Sequence, residues 1–156
     1  MSLASEVLDL ARAKGVMIAT AESCSGGLIA AALTDIPGSS DVVDRGFVTY
    51  SNGAKRDMLG VRDTTLRAHG AVSEEIAREM AEGALRHSTA QIAVSTTGIA
   101  GPGGSEHKPE GRVCFGLARK DGTTRTETVE FGPIGRAEVR AASVAHALAA
   151  LKSALS

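Results

Sequence analysis

Tryptophan is absent from this chain of 156 residues, and three Phe and one Tyr are its only other large aromatics. Any core therefore has to be built from Ala, Val, Leu and Ile, a composition that suits a sheet covered by Ala-rich helices. Cysteine is scarce as well. Cys24 and Cys114 share no close spacing and no basic-then-apolar leader opens the chain, so a disulfide framework and export are not expected, and a reducing cytoplasmic setting is. Charge of one sign is missing: 17 Lys and Arg stand against 18 Asp and Glu, with no run of five basic residues, which removes the electrostatic footprint of a nucleic-acid binder. No apolar run approaches the roughly 18 residues needed to span a bilayer, so no membrane partner is expected. His69, His87, His107 and His146 are scattered without HxH, HExxH or CxxC spacing, which argues against a protein-held metal. Neither a Walker A segment nor a GxGxxG helix opening occurs.

What is present fits one domain of ordinary size over residues 1–156, with no internal repeat. "SLASEVLDLARAK" carries Leu3, Val7, Leu10 and Ala11 at helical spacing and stops at Gly15. "VMIAT" reads as a strand, "AESCSGG" as a glycine-bearing turn and "LIAAALTDI" as a helix. "VVDRGFVTYS" predicts a second strand, and "QIAVSTTG" a third. Between them lie a short helix, a turn and a long helix N-capped by Ser73. Residues 98–111 form a loop with five Gly and two Pro, after which Asp121-Gly122 joins two strands as a hairpin and Arg136–Leu155 forms a long Ala-rich helix. This order predicts an α/β fold: a three-layer α/β/α sandwich with a central mixed sheet.

Ligands in such folds collect at the carboxyl ends of parallel strands. Three loops qualify: "AESCSGG", "YSNGAK" and "TTGIAGPGGSEHKPEG", whose glycines let main-chain N–H groups approach an anion, although glycine serves equally well in plain turns. Ser23 and Ser25 suit helix capping or ligand binding. Cys24 precedes a helix N-terminus but reads as a buried packing residue. Ser40 in "PGSS" and Lys55 after the second strand allow two readings. One is a turn serine with a solvated lysine; the other is a nucleophile with a general base, which requires the lysine to be desolvated and neutral.

Five ordered blocks, "TAESCSGG", "DIPGSSDVVDRGFVTYSNGAK", "GAVSEE", "TTGIAGPGG" and "KPEGRV", together resemble the CinA C-terminal domain family over nearly the whole chain. The resemblance implies an amidohydrolase that deamidates nicotinamide mononucleotide to nicotinate mononucleotide and ammonia through a Ser/Lys acyl-enzyme, with no cofactor. Matched block to block, it puts catalysis on Ser40, Lys55 and Tyr50, with a hydroxyl at Thr97 and a phosphate contact at Arg136. The turns supply further substrate-binding candidates at Ser23, Ser25, Gly26 and Gly27 and at Gly98 and Gly101, with the substrate phosphate at the helix N-terminus after "SCSGG" or on Arg136. The partners expected are a small-molecule nucleotide and other copies of the chain in a homo-oligomer. The other reading is a non-catalytic nucleotide-binding or interaction module linked to competence or DNA damage. Ser25, Gly53 and Arg112 depart from the family pattern, where Thr, an acid and a small or hydroxyl residue are usual.

Overall fold

A computed structural model describes residues 1–156 and contains six α-helices, one short 3-10 turn and five strands. The strands form one mixed sheet in the order β2-β1-β3-β4-β5. β1 (Ile18–Glu22) runs parallel to β2 (Val43–Val48) and β3 (Ile92–Gly98), while β4 (Arg112–Arg119) and β5 (Thr124–Glu130) continue it antiparallel. The expected three-layer α/β/α sandwich is observed.

Side-chain alternation along the central strands divides the apolar residues between two cores. Ile18, Ile92 and Val94 face a cluster completed by α1 (Leu3–Lys14), α2 (Leu28–Thr34) and α6 (Arg136–Leu155), which contribute Val7, Leu8, Ile29 and Leu151. Ala19, Ala21 and Ala93 face the opposite cluster, where Leu59 of α3 (Asn52–Leu59), Leu66 of α4 (Asp63–His69) and Ile76 and Met80 of α5 (Glu74–Arg86) pack. Alanine on the strands lets α5 lie close to the sheet. Gly116 on β4 carries this furthest, because a Cβ there would come within 2.4 Å of the Ala77 carbonyl.

The helix ends follow the sequence. Ser2, Ser51 and Ser73 accept hydrogen bonds from Ser5 N, Ala54 N and Ile76 N, and Gly15 and Gly60 close α1 and α3 at φ 66° and 70°. The first strand lies two residues further along than "VMIAT" suggests. β1 extends to Glu22, which pairs with Val48 on one side and Thr96 on the other, so an acidic residue expected in a turn belongs to the sheet interior. No helix is long and apolar enough to cross a membrane.

Candidate active site

The parallel trio fixes where the chemistry gathers, since the loops leaving β1, β2 and β3 all emerge at one edge. After β1 the chain turns through Ser23, whose N–H donates to Thr96 O at 3.0 Å. After β2, Thr49 N donates to Glu22 O at 2.8 Å, which holds the second exit beside the first. α3 then returns Lys55 into the protein. The residue is 1% exposed, and Nζ lies 3.0 Å from Ser23 Oγ while donating to Thr49 O at 3.0 Å and Tyr50 O at 3.4 Å. No carboxylate comes within ion-pairing distance of it. Burial lowers the Lys55 pKa from 10.5, with Cys24 and Glu106 opposing more weakly. Burial likewise pushes the Cys24 thiol up to about 11, and the Glu22 charge adds to this, so Cys24 stays a protonated packing residue beside the site.

Beneath Ser23 the Glu22 carboxylate is fully buried. Oε1 accepts from Ser25 Oγ at 2.6 Å and Ile29 N at 2.9 Å, and Oε2 from Ala30 N at 3.0 Å. Leu28 N and Ala31 N donate to Ser25 O and Gly27 O. The amides of Leu28, Ile29 and Ala30 at the start of α2 are therefore engaged by the chain itself, and this helix end holds a protein carboxylate where a substrate phosphate was expected. Ser25 is fully buried and shares its hydroxyl with Thr96 Oγ1 at 2.8 Å, while Gly26 and Gly27 supply the left-handed backbone of the turn at φ 59° and 100°. These three residues shape the loop and line neither of the two main cavities.

A cavity of about 350 Å³ opens above Lys55, lined by Ser23, Tyr50, Lys55, Thr97, Gly98, Gly101 and Arg136 from the sequence-derived candidates. Thr97 Oγ1 donates to Ala71 O at 2.8 Å, which fixes that wall. Tyr50, 59% exposed, meets Lys55 through its main-chain carbonyl, whereas its phenol receives a hydrogen bond from Arg136 Nη2 at 2.6 Å. Arg136 Nη1 donates to Gly101 O at 2.7 Å. Ala100 N and Gly101 N donate to no atom of the chain and belong to the same glycine wall. Sequence reasoning missed Asn52, Cys24 and Glu106 as lining residues. It also missed Arg140, which donates to Cys24 O at 3.2 Å and so braces the turn that carries Ser23.

Ser40 is not brought to this site. It lies exposed in the 3-10 turn Ser39–Asp41 that leads into β2, with Gly38 O held by Arg12 near the end of α1. That is the amino end of β2, where Val43 pairs with Ile18, and Lys55 lies beyond the carboxyl end. The intervening strand spans roughly 17 Å at ~3.3 Å per residue, so a Ser40/Lys55 hydrogen bond is excluded by topology. The two other departures are also resolved. A Cβ on Gly53 would approach Arg56 and Ser51 at 3.9 Å, not Lys55, and Arg112 is paired with Glu130 at 2.9 Å. A larger groove of about 780 Å³ lies between β4, β5 and the second half of α6, far from the loops described, and its hydroxyls sit beside no buried base.

The sequence signature of the CinA C-terminal domain matches residues 1–155. A CinA-like protein of Chlorobium phaeobacteroides is 59% identical over 134 residues, 84% of this chain but 32% of that protein, so the chain spans about a third of that longer relative. The nicotinamide-nucleotide amidohydrolase PncC of Escherichia coli is 51% identical over 154 residues, covering 97% of this chain and 92% of that one. A solved competence or damage-inducible protein from Enterobacter asburiae superposes with a TM-score of 0.95 at 35% identity, over 99% of this chain and 96% of the other. With its whole length matched, its fold shared with solved relatives and its strand ends converging on one buried serine–lysine pair, the chain belongs to the CinA C-terminal domain family.

Proposed function

We propose that this protein hydrolyses the carboxamide of nicotinamide mononucleotide to the carboxylate and ammonia, with Ser23 as nucleophile and Lys55 as general base. The observation that carries this reading is the fully buried Lys55 Nζ lying 3.0 Å from Ser23 Oγ without a carboxylate partner. Similarity to PncC over nearly the full length of both chains supports the choice of substrate.

A neutral amine has two N–H groups and one lone pair. The carbonyls of Thr49 and Tyr50 receive the two N–H groups, which directs the lone pair of Lys55 at the Ser23 hydroxyl. Lys55 takes the hydroxyl proton as Ser23 Oγ bonds to the carboxamide carbon. The tetrahedral oxyanion collapses, the C–N bond breaks, and Lys55 returns the proton to the departing ammonia. Water then enters the vacated position, Lys55 accepts one of its protons, and the ester to Ser23 is cleaved to give the carboxylate and regenerate the hydroxyl. The amides of Ala100 and Gly101 are the donors available to the oxyanion, a contribution of roughly 3–4 kcal/mol per donor. Arg136, carrying a guanidinium free of any carboxylate, takes the 5′-phosphate, and Tyr50 orients it.

Incubating the purified protein with nicotinamide mononucleotide and assaying ammonia and nicotinate mononucleotide tests the reading. Equal amounts of the two products are expected, and no release of ammonia would overturn it.

A further inference from the structure

The loop that roofs the cavity ends in a feature the hydrolytic scheme does not use. Ser105 and Lys108 bond each other in both directions, Ser105 N to Lys108 O at 3.0 Å and Lys108 N to Ser105 O at 2.8 Å. The two residues between them, Glu106 and His107, both take positive φ, 52° and 64°. Gly, Asn or Asp are the residues suited to such a turn tip, so a glutamate there is held at a conformational cost. Lys108 anchors the turn by donating from Nζ to His69 O at 2.6 Å and Val72 O at 2.5 Å. The Glu106 carboxylate lies over Gly70, where a Cβ would come within 2.5 Å of Oε2. Any side chain at position 70 would displace it.

Glu106 is the one carboxylate lining the cavity, and Arg136 is the one guanidinium. Arg136 is bonded to a carbonyl and a phenol, and Glu106 forms no direct ion pair, although the Lys108 ammonium lies beside it over Gly70, so each charge faces the same 350 Å³ space without a carboxylate or cation in contact. Lys55 lines the same cavity, and burial lowers its pKa. The cavity is thus dipolar. An oxidised nicotinamide nucleotide has the matching pattern, with a positive ring nitrogen in the ring that bears the carboxamide and a negative phosphate on the ribose.

We propose that Glu106 is a specificity-determining residue that selects a carboxamide carried on a cationic ring, reading the ring charge while Arg136 holds the phosphate. The inference rests on the hydrolytic reading above and narrows its substrate to the oxidised nucleotide. A reduced, uncharged dihydronicotinamide ring offers the same carboxamide, ribose and phosphate but gives Glu106 nothing to pair with.

The test measures kcat/KM for oxidised and reduced nicotinamide mononucleotide with wild-type protein and with Glu106→Gln at one pH. The two rings differ in intrinsic reactivity, so the quantity read is the change in the oxidised-to-reduced ratio between the two proteins. The ratio falls about fivefold in Glu106→Gln, the scale of a partly exposed charge pair, mainly through KM for the oxidised nucleotide, and the wild-type ratio narrows as salt rises. A ratio unchanged by Glu106→Gln overturns the proposal. Calorimetric binding of both nucleotides to Lys55→Ala protein, with and without Glu106→Gln, separates this from the parent reading. If wild-type protein turns over neither nucleotide, the hydrolytic reading fails, and Glu106-dependent preference for the oxidised nucleotide in binding still supports the inference, while equal or absent binding overturns it.

Discussion

Two turns of this molecule carry serines beside glycines, and they lie at opposite ends of the same pair of parallel strands. The turn at residues 23–27 leaves the carboxyl end of β1; the turn at residues 37–41 enters the amino end of β2. Local sequence barely separates them, "SCSGG" against "PGSSD". Their surroundings differ completely. Ser23 meets a buried amine, while Ser40 is exposed next to the end of α1. A hydroxyl acquires chemistry from strand polarity, because only the carboxyl edge of the parallel trio also receives α3 and the glycine loop.

The largest expected effect separates the two turns directly. Ser23→Ala and Lys55→Ala each lower kcat by roughly 10³-fold or more, as loss of a nucleophile or its base does, whereas Ser40→Ala stays within about twofold of wild type. Ammonia release under saturating nicotinamide mononucleotide reads all three, with circular dichroism to establish folding. Comparable losses in Ser23→Ala and Ser40→Ala would erase the distinction.

A second effect concerns stability. Glu22 satisfies two amides of α2 and the Ser25 hydroxyl from a fully buried position, so Glu22→Ala leaves the Ile29 and Ala30 amides unpaired and the Ser25 hydroxyl with Thr96 alone. A loss of about 2–4 kcal/mol in denaturant unfolding is expected. The other turn has no such carboxylate: Asp41→Ala there costs less than about 1 kcal/mol. Equal losses would mean that the 23–27 turn is not held from beneath.

Much of this was legible in the sequence. Gly15 and Gly122 announced a helix end and a hairpin through left-handed backbone, Ser73 announced a helix start through its capping hydroxyl, and the order of apolar runs gave the layers. The Lys55 and Arg136 positions could be read from family blocks. The partner of Lys55 could not, because the spacing from residue 23 to residue 55 means nothing until β1 and β2 are known to be adjacent and parallel. The block-to-block resemblance pointed to Ser40, 15 positions from Lys55, yet a whole strand lies between them. Glu22 was misread as a turn residue since a buried acid contradicts hydropathy; three donors at 2.6–3.0 Å explain its place. Tyr50 was legible as a site residue, but not that its carbonyl serves Lys55 and its phenol Arg136.

That division predicts unequal phenotypes at one rim. Arg136→Ala raises KM for nicotinamide mononucleotide by about tenfold to a hundredfold, the scale of a charge-assisted contact. Tyr50→Phe keeps the carbonyl and raises KM only a few-fold, leaving the pH dependence of kcat in place. A shifted pH limb in Tyr50→Phe would mean that the phenol acts on Lys55.

The smallest effect is in pH. Burial sets the folded pKa of Lys55 below 10.5, so in the window between the lowered value and 10.5 the unfolded chain binds a proton that the folded chain has released. Wild-type stability therefore rises with pH through that window, and kcat/KM rises as Lys55 loses its proton on the same side of 10.5. The Lys55→Met variant lacks this gain. Unfolding midpoints of the two proteins measured from pH 7 to 10 should diverge in favour of wild type, and parallel curves would mean an unperturbed lysine.

The central claim is that Ser23, and not Ser40, bonds to the substrate carbonyl. Both residues fall in one tryptic peptide, residues 15–45, bounded by Lys14 and Arg45. Acid-quenching the enzyme during turnover of nicotinamide mononucleotide, digesting it and fragmenting that peptide in a mass spectrometer locates the acyl group by residue. The account predicts the added nucleotide acyl mass on Ser23; the same mass on Ser39 or Ser40 would contradict it.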